Sequence, residues 1–148
     1  MEIKLICQVQ TDDIEILATI RYTAILTLAT QKMGADAAHE WANSAKPDRI
    51  QHALEAHYIW VATIASEAVG WVEVNGNRLE GMYVHPSQAQ QGIGAALLAH
   101  AENQIRAANH TSVALEASSN AESFYKKHGC QATGNRSPEL GLPMMKQF

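Results

Sequence analysis

The segment that most constrains this chain runs Tyr83-Val-His-Pro-Ser-Gln-Ala-Gln-Gln-Gly-Ile-Gly-Ala-Ala-Leu-Leu98. A β-rich run stops at Pro86, a short turn carries Gly92 and Gly94, and an apolar pattern of helical period begins at once. A strand, a glycine turn and a helix in so few residues aim free main-chain N–H groups, and the positive end of a helix dipole, at one spot. An anion placed there is bound by backbone, and glycine removes the Cβ that would bar its approach. Two small residues at a helix start also serve plain packing, so the pattern alone names no ligand. Two familiar phosphate loops are excluded. A Walker A loop requires G-K-[ST], which Ile93-Gly94-Ala95 lacks. A dinucleotide fingerprint needs a third glycine where Leu97 stands, and it follows a first strand rather than a fourth.

The rest of the chain supplies elements around that turn. Residues 3–9 alternate, with Ile3, Leu5, Cys7 and Val9 on one side, and predict a first strand. Thr11 and Asp12 offer N-caps for an amphipathic helix over 12–30, ended by Gly34. Two short helices follow at 36–44 and 47–57, the second opened by Pro47. Tyr58–Ile64, Ala68–Val74 and Leu79–Val84 read as strands, the last two joined through Asn75-Gly76-Asn77. A long helix over 93–108 is expected to bury Leu97, Leu98, Ala101 and Ile105. Then come a strand at 112–117, a short helix at 121–127, a strand at 130–133 and a last strand at 142–148. The order predicts a mixed α/β (α+β) fold: an antiparallel meander followed by a β-α-β crossover.

At 148 residues one domain, 1–148, is expected. Hydrophobic residues at 47% and charged residues at 18% suit a globular protein, and no apolar run is long enough to span a bilayer. The start, MEIKLICQVQTDD, lacks the apolar core of a signal peptide, and Cys7 and Cys130 form no metal or disulfide spacing. A cytoplasmic setting is the expectation. The formal charge is −4 and the eleven basic residues are scattered, so no nucleic-acid stripe is visible. The seven histidines show no H-x-x-x-H spacing, and no metal is expected. Dimerisation is compatible with the sequence and cannot be read from it.

The run L-E-G-M-Y-V-H-P-S-Q-A-Q-Q-G-I-G-A-A-L-L resembles the acetyl-CoA-binding motif of the GNAT superfamily, in which a bulged fourth strand leads into an [RQ]-x-x-G-x-[GA] loop. The run L-E-A-S-S-N-A-E-S-F-Y-K-K-H-G-C is similar to the strand and helix of that family ending in F-Y-x-x-x-G-F. The resemblance spans essentially the whole chain. It implies a mostly antiparallel sheet of six to seven strands, splayed fourth and fifth strands, and about four helices. The chain departs from it twice, with Ala89 in the Arg/Gln slot and Cys130 in place of the final aromatic. Main-chain groups supply most of such a loop's grip, so binding is expected to survive Ala89.

The resemblance implies acetyl-CoA as co-substrate. Its pantetheine arm would pair with the backbone of Met82 and Val84 like an added strand, and its diphosphate would rest on the N–H groups of Gln90, Gln91, Gly92, Ile93, Gly94 and Ala95. The thioester carbonyl would lie near the Tyr83 amide, a donor to the developing oxyanion. Phe124 and Asn120 would flank the arm; Asn120 and Ser118 are equally suited to cap the short helix. An amine attacks only when neutral, so a carboxylate is sought as base. Glu116 matches the glutamate of the ribosomal-protein alanine N-acetyltransferases, Glu80 lies two residues before Met82 and is expected on its face, and Glu73 is a third candidate. Tyr125 stands where the family places the acid that protonates departing CoA thiolate. All of these residues also have plain readings as strand charges or core contacts.

The resemblance puts the acceptor on the side of the first helices and the last hairpin; His39, Trp41, Trp60 and Trp71 lie there or nearby, and the Gly134–Pro143 segment resembles substrate-side loops of bacterial GNAT proteins. The acidic balance suits a cationic small-molecule amine, with a protein N-terminus as runner-up. The rival from another class is an idle acyl-CoA-binding sensor or regulatory module, which Ala89 favours; a plain structural α/β protein is the third reading.

Overall fold

The β-branched and aromatic runs in the middle of the chain pair as a meander: β2 (Tyr58–Ile64), β3 (Glu67–Asn75) and β4 (Arg78–Val84), each antiparallel to the next. The computed structural model describes residues 1–5, 11–29, 34–42, 47–138 and 140–148. With β1 (Glu2–Leu5), β5 (Ser112–Ala117), β6 (Gln131–Ala132) and β7 (Leu142–Gln147), the sheet has seven strands in the order β1-β2-β3-β4-β5-β7-β6. All neighbours are antiparallel except β4 and β5. The predicted extension of β1 to residue 9, with Cys7 and Val9, lies outside the described residues.

Five α-helices occur among the described residues, one more than the resemblance implied. They are α1 (Thr11–Ala24), α2 (Ala35–Ala42), α3 (Pro47–Ala56), α4 (Ile93–Ala107) and α5 (Glu122–Lys127). The helix expected over 12–30 is α1 followed by a π-helical stretch, Ile25–Ala29. Asp12 and Asp13 sit in the first turn of α1, where acidic side chains favour the helix dipole.

Strand alternation sorts the core into two layers. Trp60, Ala62, Val72, Val74 and Leu79 face Ile93, Leu97, Leu98, Ala101 and Ile105 of α4. Ile59, Val61 and Trp71 face Leu17 and Ile20 of α1 and Ile50, Ala53 and Leu54 of α3. Fully burying one such side chain stabilises the fold by about 1.5–3 kcal/mol, so both helical layers are firmly tied to the sheet. Trp71 adds a hydrogen bond, its Nε1 donating to the Leu17 carbonyl at 3.1 Å. Cys130, in the aromatic slot, is simply core: it is 3% exposed, and burial, followed by Glu102, pushes its thiol up. No described helix is long and apolar enough to cross a membrane.

The hairpin between β3 and β4 forms where Asn-Gly predicted it, with a different turn. Asn75 pairs with Arg78, so Gly76 and Asn77 are the loop, and only Gly76 takes positive φ, at +63°. That is the pattern of a turn needing glycine at its first central position.

Candidate active site

β4 and β5 begin side by side and then separate. Arg78 pairs with Ala114 and Leu79 with Leu115; beyond these two pairs no ladder continues. A bulge in β4 accompanies the split. Val74 faces Leu79 and Glu73 faces Gly81, which leaves Glu80 as the extra residue. The bulge shifts strand parity by one. Leu79, not Glu80, therefore shares the α4-side core with Met82 and Val84, correcting the expectation that Glu80 lies on the face of Met82.

The same register decides which backbone groups face the gap. The His85 N–H donates to the Val69 carbonyl at 2.7 Å, and pairing runs on through Gly70–Val84, Trp71–Tyr83 and Val72–Met82. Antiparallel ladders alternate hydrogen-bonded and open pairs, so the Tyr83 N–H points into β3 while Met82 and Val84 turn theirs to the edge that β5 has left. The Tyr83 amide, expected as an oxyanion donor, is thus committed to the sheet. Met82 and Val84 hold the open donors.

After β4, a 3-10 turn (Pro86–Gln88) is closed by the Ser87 N–H donating to His85 Nδ1. Ala89, in the Arg/Gln slot, gives its N–H to Pro86. Gln90 and Gly92 both take left-handed φ, +61° and +81°. Gly92 is the N-cap of α4 and supplies no side-chain hydrogen bond, while a Cβ built on it meets nothing within 4 Å. The helix therefore opens with unsatisfied N–H groups above clear space, which suits a phosphate. Phe124 lies over Gly94, 3.6 Å from where a Cβ would be, which is an ordinary packing contact. Ile93 contributes main chain only; its side chain is core.

The split opens into a cavity of about 1050 Å³. One wall is Arg78 to Val84 with Leu115 and Glu116; another is the α5 approach, Ser118 to Ala121, with Tyr125. Facing them are Arg21, Ala24, Ile25, Ala37, Glu40 and Arg49 from the helical layer, and Arg136, Ser137, Pro138, Leu140 and Gly141 from the loop before β7. Tyr125 is 6% exposed, and burial, then Tyr83 and Cys130, push its hydroxyl well above the ordinary tyrosine range. It stays a phenol, able to donate a proton. Arg78 bridges two carboxylates, its Nη2 donating to Glu116 at 3.1 Å and its Nε lying 3.5 Å from Glu80.

The sequence profile of the acetyltransferase (GNAT) domain matches residues 29–146. The chain belongs to the GNAT acetyltransferase family. It is accordingly an acyltransferase of the N-acetyltransferase class. A curated relative, the peptidyl-lysine N-acetyltransferase YjaB of Salmonella typhimurium, is 29% identical over 122 residues, covering 78% of this chain and 83% of the relative. Among solved structures, a GCN5-related N-acetyltransferase from Rhodopseudomonas palustris superposes with a TM-score of 0.91 at 21% identity, over 99% of this chain and 95% of that one. The PaiA N-acetyltransferase of Thermoplasma acidophilum, solved with coenzyme A, does so with a TM-score of 0.79 at 18% identity over the whole of both chains.

Within this GNAT frame, Tyr125, Glu116, Glu80, Met82, Tyr83, Val84 and Asn120 meet at the cavity, while Gln90 to Ala95 and Phe124 lie at the turn and its contact. Glu73 does not join them. It is 2% exposed, held by His57 Nδ1 at 2.6 Å and Arg49 Nη1 at 3.3 Å, and is absent from the cavity lining. Ser118 and Asn120 do not cap α5, whose N-cap is Ala121; the Ser118 hydroxyl donates to Asn120 Oδ1 at 2.6 Å instead. Trp60 packs on the α4 side against His100, away from the acceptor wall, and His39 is exposed and outside the lining. The Trp41 side chain lies outside the described residues. No group of three metal-ligating side chains occurs among the described residues. Sequence reasoning missed Arg78, Arg21 and Arg49. Only Arg78 carried a signal, as a base two residues before Glu80 on one strand.

Proposed function

We propose that this GNAT protein transfers the acetyl group of acetyl-CoA directly to the primary amine of a small molecule, with both substrates bound together. One observation carries the reading: the gap between β4 and β5 brings outward backbone donors, a protonated tyrosine and two carboxylates into one cavity. The CoA-bound relative supports the first substrate, and the uncapped α4 start with its clear space at Gly92 fits a diphosphate. Bound acetyl-CoA supplies an activated thioester; the chain's own groups do the rest. The backbone of Met82 and Val84 aligns the pantetheine arm, and the Met82 N–H stabilises negative charge on the acyl oxygen. Glu116 or Glu80 accepts the amine proton, directly or through water, with Arg78 holding both in place. Tyr125 returns a proton to the sulfur, whose thiol form has a pKa of about 8.5. A cytoplasmic setting goes with this reading.

The acidic balance of the chain, a formal charge of −4, favours a small amine as acceptor. The name of the YjaB relative favours a second reading, in which the acceptor is a lysine side chain of a protein. Thiol release from acetyl-CoA, measured across small amines and lysine peptides, decides between them. Release dependent on small amines is expected. Tight CoA binding with no acceptor-dependent release from any amine would sink the catalytic assignment of these residues.

A further inference from the structure

The cavity's charged side chains are unequally neutralised. Arg78 has Glu80 and Glu116 beside it, both lining the same space. Arg136 pairs with Glu122. Arg21 is 5% exposed, donates to the Ala42 carbonyl at 3.0 Å and stacks over the Tyr83 ring. Arg49 reaches the cavity from α3 about as exposed as Arg78 and Arg136, and like Arg136 it has a counter-ion outside the lining; what sets it apart is that this counter-ion, Glu73, is 2% exposed and is also held by His57.

Arg49 holds one oxygen of Glu73, at 3.3 Å. His57 meets its other oxygen at 2.6 Å, the shorter of the two contacts. One buried carboxylate is thus shared between two basic groups, and among the described residues the one at the cavity is held by a single N–H. A guanidinium carries five such donors in a planar fork, so anchoring by one tethers the group and leaves other donors able to face the space it lines. A fork held from behind and open in front is the geometry that takes a carboxylate in bidentate fashion.

We propose that Arg49, anchored by Glu73, binds a carboxylate on the acceptor, which is therefore an amino-acid-like zwitterion rather than a simple amine. This rests on the proposed transfer to a small-molecule amine and narrows its substrate class. His57 and Glu73 are positioning residues in this arrangement, and Arg49 is the group that touches substrate.

The test compares a length series of ω-amino acids with their own amides, at saturating acetyl-CoA. The amide removes the carboxylate charge while leaving the remote amine nearly unaltered. The expected kcat/KM favours the acid by about 10- to 100-fold, mainly through KM, as a charge-assisted bond of this kind is worth. Arg49→Gln should bring the acid-to-amide ratio to near one, and Arg49→Lys, which keeps the charge without the fork, should restore part of it. A wild-type ratio near one, a ratio unmoved in R49Q, or better use of lysine peptides than of any acid overturns the proposal. Calorimetric titration of CoA-saturated protein with the same pairs gives a readout free of turnover: acid-selective binding lost in R49Q supports the proposal, and equal or absent binding overturns it. CoA failing to bind in that calorimeter would instead bring down the transferase reading, and this one with it.

Discussion

The two sides of the cavity are made of different material. The side formed by β4, the Gly92 turn and the head of α4 offers main chain: outward donors at Met82 and Val84, and uncapped N–H groups at the helix start. The side formed by α1 to α3 and the loop before β7 offers side chains, among them Arg21, Glu40, Arg49, Arg136 and Leu140. Backbone recognition needs glycines and strand parity, not particular side chains, and the fold that carries it recurs at 18–21% identity. Side-chain recognition depends on which residues tertiary packing happens to bring forward. The proposed function accordingly gives the co-substrate to the first side and the acceptor to the second.

The sharpest way to break that division is to put a side chain where only backbone belongs. A carboxylate at residue 92, about 4 Å from a phosphate, costs about 4 kcal/mol at an effective dielectric of 20, or roughly a thousandfold in Kd. Gly92→Asp should therefore abolish CoA binding in calorimetry, and Gly92→Ala, which fills the clear space without charge, should fall between it and wild type. CoA affinity untouched in G92D would mean the phosphates rest elsewhere.

Tyr125 stands where the two sides meet, so its loss should spare binding and strike chemistry. Tyr125→Phe is expected to lower kcat by about 100-fold, near 3 kcal/mol, with the Kd for CoA nearly unchanged. An equal fall in affinity would reassign Tyr125 to packing.

Much of this was legible in the sequence, and what was not has a common cause. Strands β2 to β4, helix α4 and the glycine turn announce themselves through local pattern, as does Tyr125 through its F-Y context. The bulge at Glu80 does not, because it arises from how β4 registers against β3; hence the wrong face for Glu80 and the wrong amide at Tyr83. The β2–β3 turn is also silent: Ala65 and Ser66 both adopt positive φ without glycine or asparagine. Glu73, His57 and Arg49 stand 16 and 24 residues apart, a cluster that packing alone assembles. Local backbone signals survive in one sequence; meetings of distant side chains do not.

The carboxylates at Arg78 test whether the division runs through the chemistry as well. Because one guanidinium serves both, Glu116→Gln or Glu80→Gln alone leaves the other carboxylate with a freer cation. The residue acting as base should cost about 30-fold in kcat, close to 2 kcal/mol, and the other only a few-fold. Equal small losses would point to water as the proton acceptor.

The smallest effect concerns stability and isolates Tyr125 from any ligand. Burial raises its hydroxyl above the ordinary 10.0, so the folded state keeps a proton that the unfolded chain has released. The sign follows from linkage: the stabilisation is complete below pH 10 and shrinks as pH rises above it, because there the folded state binds more protons than the unfolded one. By pH 11 the loss is about 1 kcal/mol, since each unit of differential titration is worth about 1.4 kcal/mol. Urea midpoints measured at pH 8 and pH 11 should therefore fall further in the wild type than in Tyr125→Phe, which has no hydroxyl to titrate. Identical falls would mean that the phenol ionises as freely in the fold as out of it, and a tyrosine so exposed to water could not be the shielded acid that the meeting point of the two sides requires.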